Sequence, residues 1–159
     1  MAYLTIRFIK NKGLVSDAIA WWQNSLWSHV EVGTPEGTWL GAHAGAGVQE
    51  LSANWASPIR DYRYVVPCSD SQLAAMLAWG RSKIGVVGYD YEDILGLAVH
   101  DRKMHRQNDA DCSEFVYTMT EVGGLGMLNV GVQYAYLVTP EILHTSKDLR
   151  GRLLPGAIG

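Results

Sequence analysis

The chain is short of cysteine: Cys68 and Cys112 are its only two in 159 residues. That excludes a disulfide framework, although a single Cys68–Cys112 bridge stays open. Neither cysteine belongs to a CxxC pair or to a Cys/His spacing that would hold zinc. Charge is scarce as well. Charged residues make up 18%, and 13 Lys and Arg against 16 Asp and Glu leave a net charge of −3. Without a basic stripe, a nucleic-acid backbone is not expected as the partner. The only basic cluster, Arg102-Lys103 with His105-Arg106, is short, is flanked by Asp101 and Asp109, and reads as a solvated loop. No apolar run is long enough for an integral membrane segment. The first, Leu4 to Ile9, is too short for a secretory leader and is broken by Arg7, so the expected location is cytoplasmic. Repeats, low-complexity stretches and linkers are missing too, which favours one domain over residues 1–159.

What is present is hydrophobic and aromatic. Hydrophobic residues reach 48%, and six Trp and eight Tyr stand against two Phe. Such residues fill cores and also line grooves where one end stays wet. Tyr3 to Ile9 reads as a strand. Leu14 to Asn24 reads as a helix with Ser16 as its cap and Ile19, Trp22 and Leu26 on one face. Trp21 and Trp22 cannot both point inward from it. Ser28 to Gly33 alternates as a strand, Thr34-Pro35-Glu36-Gly37 signals a hairpin turn, and Thr38 to His43 returns. Val48 to Leu51 is a further short strand. Asp61 to Val66 is another, ended by Pro67. A helix from about Gln72 to Lys83 follows, capped by Ser69 or Ser71. Gly85 to Tyr91 is a connector, Glu92 to Val99 a short helix and His100 to Asp109 a polar loop. Thr139-Pro140 opens a short helix with proline at its first position. Strands clustered between helices, without regular alternation, indicate an α+β fold with a small antiparallel sheet packed against helices.

The candidate chemistry lies in Asp109-Ala110-Asp111-Cys112-Ser113-Glu114-Phe115-Val116-Tyr117. Asp111 is placed to cap a helix whose Phe115, Val116, Met119 and Val122 recur at helical spacing and which Gly123-Gly124 closes. A cysteine in a first helical turn faces the positive end of the helix dipole, which favours the nucleophilic thiolate. Against this stands the ordinary role of a small buried apolar residue. A cysteine nucleophile needs a base and a group that orients the base. Of the five histidines, His100, His105 and His144 fall in polar segments and read as surface residues. His29 falls on an apolar strand, and His43 ends the neighbouring strand, so a hairpin brings them together. His29 is then the base and His43 its orienting partner. Glu31 shares a strand face with His29 and rivals His43 for that role.

Read in order, Ser28-His29-Val30, Gly47-Val48, Gly88-Tyr89-Asp90, Cys112-Ser113-Glu114-Phe115-Val116 and Thr139-Pro140 resemble the permuted papain-like branch of the NlpC-type cysteine peptidase superfamily, the YiiX/YebB-like proteins. These pieces span roughly residues 28 to 146. Histidine before cysteine is the order of the permuted branch, which also contains lecithin retinol acyltransferase-like proteins. The resemblance implies a circularly permuted papain-like fold, Cys112 as nucleophile, His29 as base and no metal or cofactor. Its third position lands near Gly41 to His43. Gly41-Ala42 departs from the acidic residue common there, and His43 takes its place. Tyr89 matches a tyrosine beside the active site, and Ser113, Trp27 and Glu31 are the expected substrate contacts. The expected reaction is amide hydrolysis through a Cys112 thioester, on a peptide or acyl substrate such as a peptidoglycan peptide or an isopeptide. Acyl transfer, lipid-ester cleavage in a groove lined by Trp21, Trp22, Trp27 and Trp39, and a silent binding module are the alternatives. The short single-domain form also resembles phage-encoded accessory hydrolases, released or carried in the virion.

Overall fold

Alternation in the strand segments decides the architecture. In the computed structural model, which describes residues 1–22, 25–89, 109–128 and 131–146, five strands form one antiparallel sheet. They are β1 (Ala2–Lys10), β2 (His29–Gly33), β3 (Trp39–His43), β4 (Gly47–Leu51) and β5 (Arg60–Cys68), in spatial order β4-β3-β2-β1-β5. Helix α1 (Leu14–Trp22) links β1 to β2, and α2 (Asp70–Arg81) follows β5. A two-residue parallel pair, β6 (Gly88–Tyr89) with β7 (Asp109–Ala110), leads into α3 (Cys112–Val122). A 3-10 helix (Val132–Leu137) and α4 (Pro140–His144) complete the described elements. The fold is α+β.

One face of the sheet is apolar. Leu4, Ile6 and Phe8 of β1 share it with Val30 and Val32 of β2, Leu40 and Ala42 of β3, Val48 of β4 and Val66 of β5. Met76 and Leu77 of α2 and Phe115, Val116 and Met119 of α3 join the same core. Each such side chain contributes about 1.5–3 kcal/mol when fully buried. The two helices cross closely because Gly80 of α2 has no side chain: a Cβ there would stand 2.8 Å from both Leu40 Cδ2 and Met119 Sδ.

The expected strands are found, with one correction. Pro67 does not end its strand: β5 runs on to Cys68. A proline is tolerated there because β5 is the edge of the sheet. The turn after β2 is the expected one, closed by Thr34 and Thr38, with Gly37 at φ +81°. Helix α2 starts with a capping box, Ser69 Oγ accepting from Gln72 N while Gln72 Oε1 accepts from Ser69 N.

Helix α1 differs more. Ser16 lies inside it and bonds Ser28 Oγ at 2.7 Å rather than capping it. Leu26 lies beyond its end and is exposed. Trp21 is exposed, as the crowded Trp-Trp pair requires. His144 is no surface residue. It is half-buried, bonds Tyr64 Oη at 2.7 Å and packs on Phe8 and Trp27. The expected helix from Glu92 to Val99, and His100 and His105, lie outside the described residues. Both cysteines are free, so the open bridge is not formed.

Candidate active site

Asp111 is the N-cap of α3, its carboxylate accepting from Glu114 N at 2.7 Å and from Ser113 Oγ at 2.9 Å. That capping fixes Cys112 in the first helical turn, where the first amides have no intrahelical acceptor. β7 delivers the chain to this point. β6 in turn is tied to the sheet, with Val48 N donating to Val87 O at 3.1 Å. The close approach depends on Gly47, whose φ is +70° and whose Cβ, if present, would meet Val87 O at 2.4 Å. The Gly-Val and Gly-Tyr segments that looked like separate motifs are thus one device that seats the cysteine helix.

His29, the first residue of β2, lies beside Cys112, close enough for the cysteine to favour its charged form. Glu31 Oε2 stands 3.4 Å from His29 Nε2. Burial opposes a charge on His29, but Cys112 and Glu31 together outweigh it and raise its pKa to about 10. His29 therefore carries its proton at neutral pH.

Glu31 is fully buried and held from behind. Arg7 Nη1 donates to it at 3.0 Å and Trp55 Nε1 at 3.1 Å. The other end of Arg7 donates to Asp61 at 2.8 Å, and Arg63 donates to the same carboxylate at 2.8 Å. Burial works to raise the pKa of Asp61, but Arg63 and Arg7 outweigh it and hold the carboxyl below its ordinary range. Arg7 and Arg63 both lie over the Trp39 ring, at 4.9 and 5.3 Å.

His43 reaches the site in a way the sequence did not suggest. Its ring lies against that of His29, centroids 4.6 Å apart and planes at 37°. Among the described residues neither Nε2 atom makes a well-aligned hydrogen bond, and only that of His29 has a carboxylate beside it. His43 thus packs on His29 instead of orienting it through a ring nitrogen, and Glu31 occupies the orienting position. Burial and the neighbouring charge of His29 push the pKa of His43 down to about 3, so it stays neutral. Trp55 closes the group edge-on, 4.8 Å from His43 and 5.7 Å from His29.

The other expected contacts fare differently. Tyr89 lies in β6, but its side chain lies outside the described residues. Ser113 is buried and serves the Asp111 cap rather than facing a substrate. Trp27 is buried among Phe8, Tyr62 and His144, and Trp39 lies beneath the two arginines, so neither lines a groove. A cavity of about 480 Å³ does open beside the two histidines, lined by Lys12, Leu14, Ser16, Ser28, Ala44 and Trp55 among others. Cys112 itself is fully buried.

Arg7, Trp55 and Asp61 were missed from the sequence. The signal for Arg7 was there: a charge in mid-strand, flanked by apolar residues, must find a buried partner. Trp55, in a loop without periodicity, carried no such signal. Compared with known proteins, the chain matches no family model and no curated protein sequence.

Proposed function

We propose that this protein is a cysteine hydrolase of the permuted papain-like, NlpC-type fold, cleaving an amide through a Cys112 thioester. The observation that carries the reading is the grouping of Cys112, His29 and Glu31: a cysteine at a helix start beside a buried imidazole whose Nε2 faces a buried carboxylate. The sequence order of these groups, and the five-stranded antiparallel sheet that carries two of them, support the permuted arrangement.

In this reading the Cys112 thiolate attacks the carbonyl carbon. The electron pair moves to the oxygen, which the first-turn amides of α3 face. Protonated His29 gives its proton to the leaving amine as the tetrahedral species collapses to the thioester. Neutral His29 then takes a proton from water, whose attack releases the acid and restores the thiolate–imidazolium pair. Glu31 keeps the ring in place and stabilises its charge, and Arg7 and Trp55 keep Glu31 in place. The cavity beside the histidines is the entry for the acyl side of a peptide or acyl substrate. Peptidoglycan peptides and isopeptides are the substrate classes the resemblance favours.

The competing reading is a silent binding module, and the complete burial of Cys112 favours it. A small activated acyl ester separates the two. Intact-mass analysis is expected to show an acyl adduct on Cys112 that decays by hydrolysis and forms poorly in His29→Ala. A wild-type protein that never acylates is a binding module. An added amine that captures the acyl group in place of water makes it a transferase.

A further inference from the structure

The two histidines leave something unexplained. Among the described residues His43 Nε2 is buried without a hydrogen-bond partner, while His29 Nε2 makes no well-aligned hydrogen bond and faces Glu31 Oε2 at 3.4 Å. Each residue is only 7% exposed. A buried ring nitrogen left without a partner is costly unless something takes it. A ring nitrogen of each histidine and a Glu31 oxygen lie within 4.8 Å of one another. Gly41 keeps that space open. Its φ does not require glycine, yet a Cβ there would stand 3.1 Å from Glu31 Cβ and 3.5 Å from His29 Nε2.

We propose that His29, His43 and Glu31 form a binding site for a zinc-like divalent cation, whose occupation blocks the Cys112–His29 pair. Two imidazoles and one carboxylate suit a borderline metal, with the fourth position left for water. The support behind the ligands is already built: Arg7 and Trp55 fix the Glu31 carboxylate, and Trp55 packs edge-on against both rings. Binding displaces a ring proton of His29 to solvent, and with that nitrogen held by the metal His29 cannot act as an acid–base group. The cation is thus a reversible brake, bound in the same pocket that admits substrate. Binding stands independently of the hydrolase reading; only the brake rests on it.

The test is titration with Zn²⁺ alone, against a chromophoric chelator, on wild type, His43→Asn and Cys112→Ser. One Zn²⁺ per chain is expected, retained in Cys112→Ser and weakened about tenfold or more in His43→Asn. Co²⁺ is a second probe that needs no variant. It is expected to give d–d bands without a thiolate charge-transfer band. Absence of stoichiometric binding overturns the proposal. So does binding that is lost in Cys112→Ser and kept in His43→Asn, since the ligands would then be the thiolate and His29. Binding as expected but with iodoacetamide labelling of Cys112 unchanged by Zn²⁺ overturns the brake and leaves the site.

Discussion

The two faces of the same sheet are built on opposite terms. On the helix-covered face, Leu4, Ile6, Phe8, Val30, Val32 and Leu40 form a continuous apolar core. On the other, at the alternate positions of the same strands, stand Arg7, His29, Glu31, Trp39, His43 and Asp61, equally buried but mostly charged or ionisable. The apolar face gains stability with every atom removed from water. The polar face carries the desolvation cost of its ions and recovers it only because Arg7, Glu31, Asp61 and protonated His29 each stand beside a group of opposite sign. Burial therefore does not mean the same thing on the two faces. On one it is the source of stability, and on the other it holds a histidine in a chosen orientation and charge state.

The largest effect should come from orphaning one ion. Glu31→Leu leaves Arg7 facing an apolar side chain and is expected to destabilise the fold by about 3–5 kcal/mol in denaturant melts. Adding Arg7→Met should restore part of that loss, because no buried charge is then stranded at the position. A double variant weaker than Glu31→Leu alone would contradict the proposed balance. On the apolar face the matching perturbation is Gly80→Ala, whose new methyl has no space between Leu40 and Met119. A loss of about 1–3 kcal/mol is expected from overpacking, with no coupling to Arg7 or Glu31.

Acid should separate the faces next. In metal-free buffer His43 has a folded pKa of about 3 against an ordinary value of 6.5. Above pH 6.5 it is neutral folded or unfolded. Below that, the unfolded chain takes up the proton first, so stability falls as pH drops from 6.5 toward 3. His43→Asn should therefore lose less stability than wild type between pH 7 and 4, measured as the shift in denaturant midpoint. The smallest effect belongs to neither face. Ser69→Ala removes one half of the capping box of α2 and should cost about 1 kcal/mol.

The sequence made the apolar face readable because its periodicity is written directly in β1 to β5 and in the helix after Ser69. It made the start of the cysteine helix readable because Asp111, Cys112 and the spacing of Phe115, Val116 and Met119 are local signals. The pairing of His29 with His43 followed from one hairpin. What was not legible depends on neighbours distant in the chain. Whether Glu31 or His43 meets His29 Nε2 is decided by Arg7 and Trp55, which fix the carboxylate there. Trp27 looked like a groove residue because nothing local announces that Phe8, Tyr62 and His144 will enclose it. Likewise, Pro67 stops a strand only when the strand has neighbours on both sides, and sheet order is not a local property.

The central claim is that His29 activates Cys112. Its most direct test is the rate of Cys112 alkylation by iodoacetamide, a reagent small enough for a buried site, in chelator and across pH 5 to 10. The account predicts that His29→Ala alkylates about tenfold or more slowly than wild type at neutral pH, and that the difference vanishes as the solution becomes alkaline. Equal rates in the two proteins at neutral pH would contradict it.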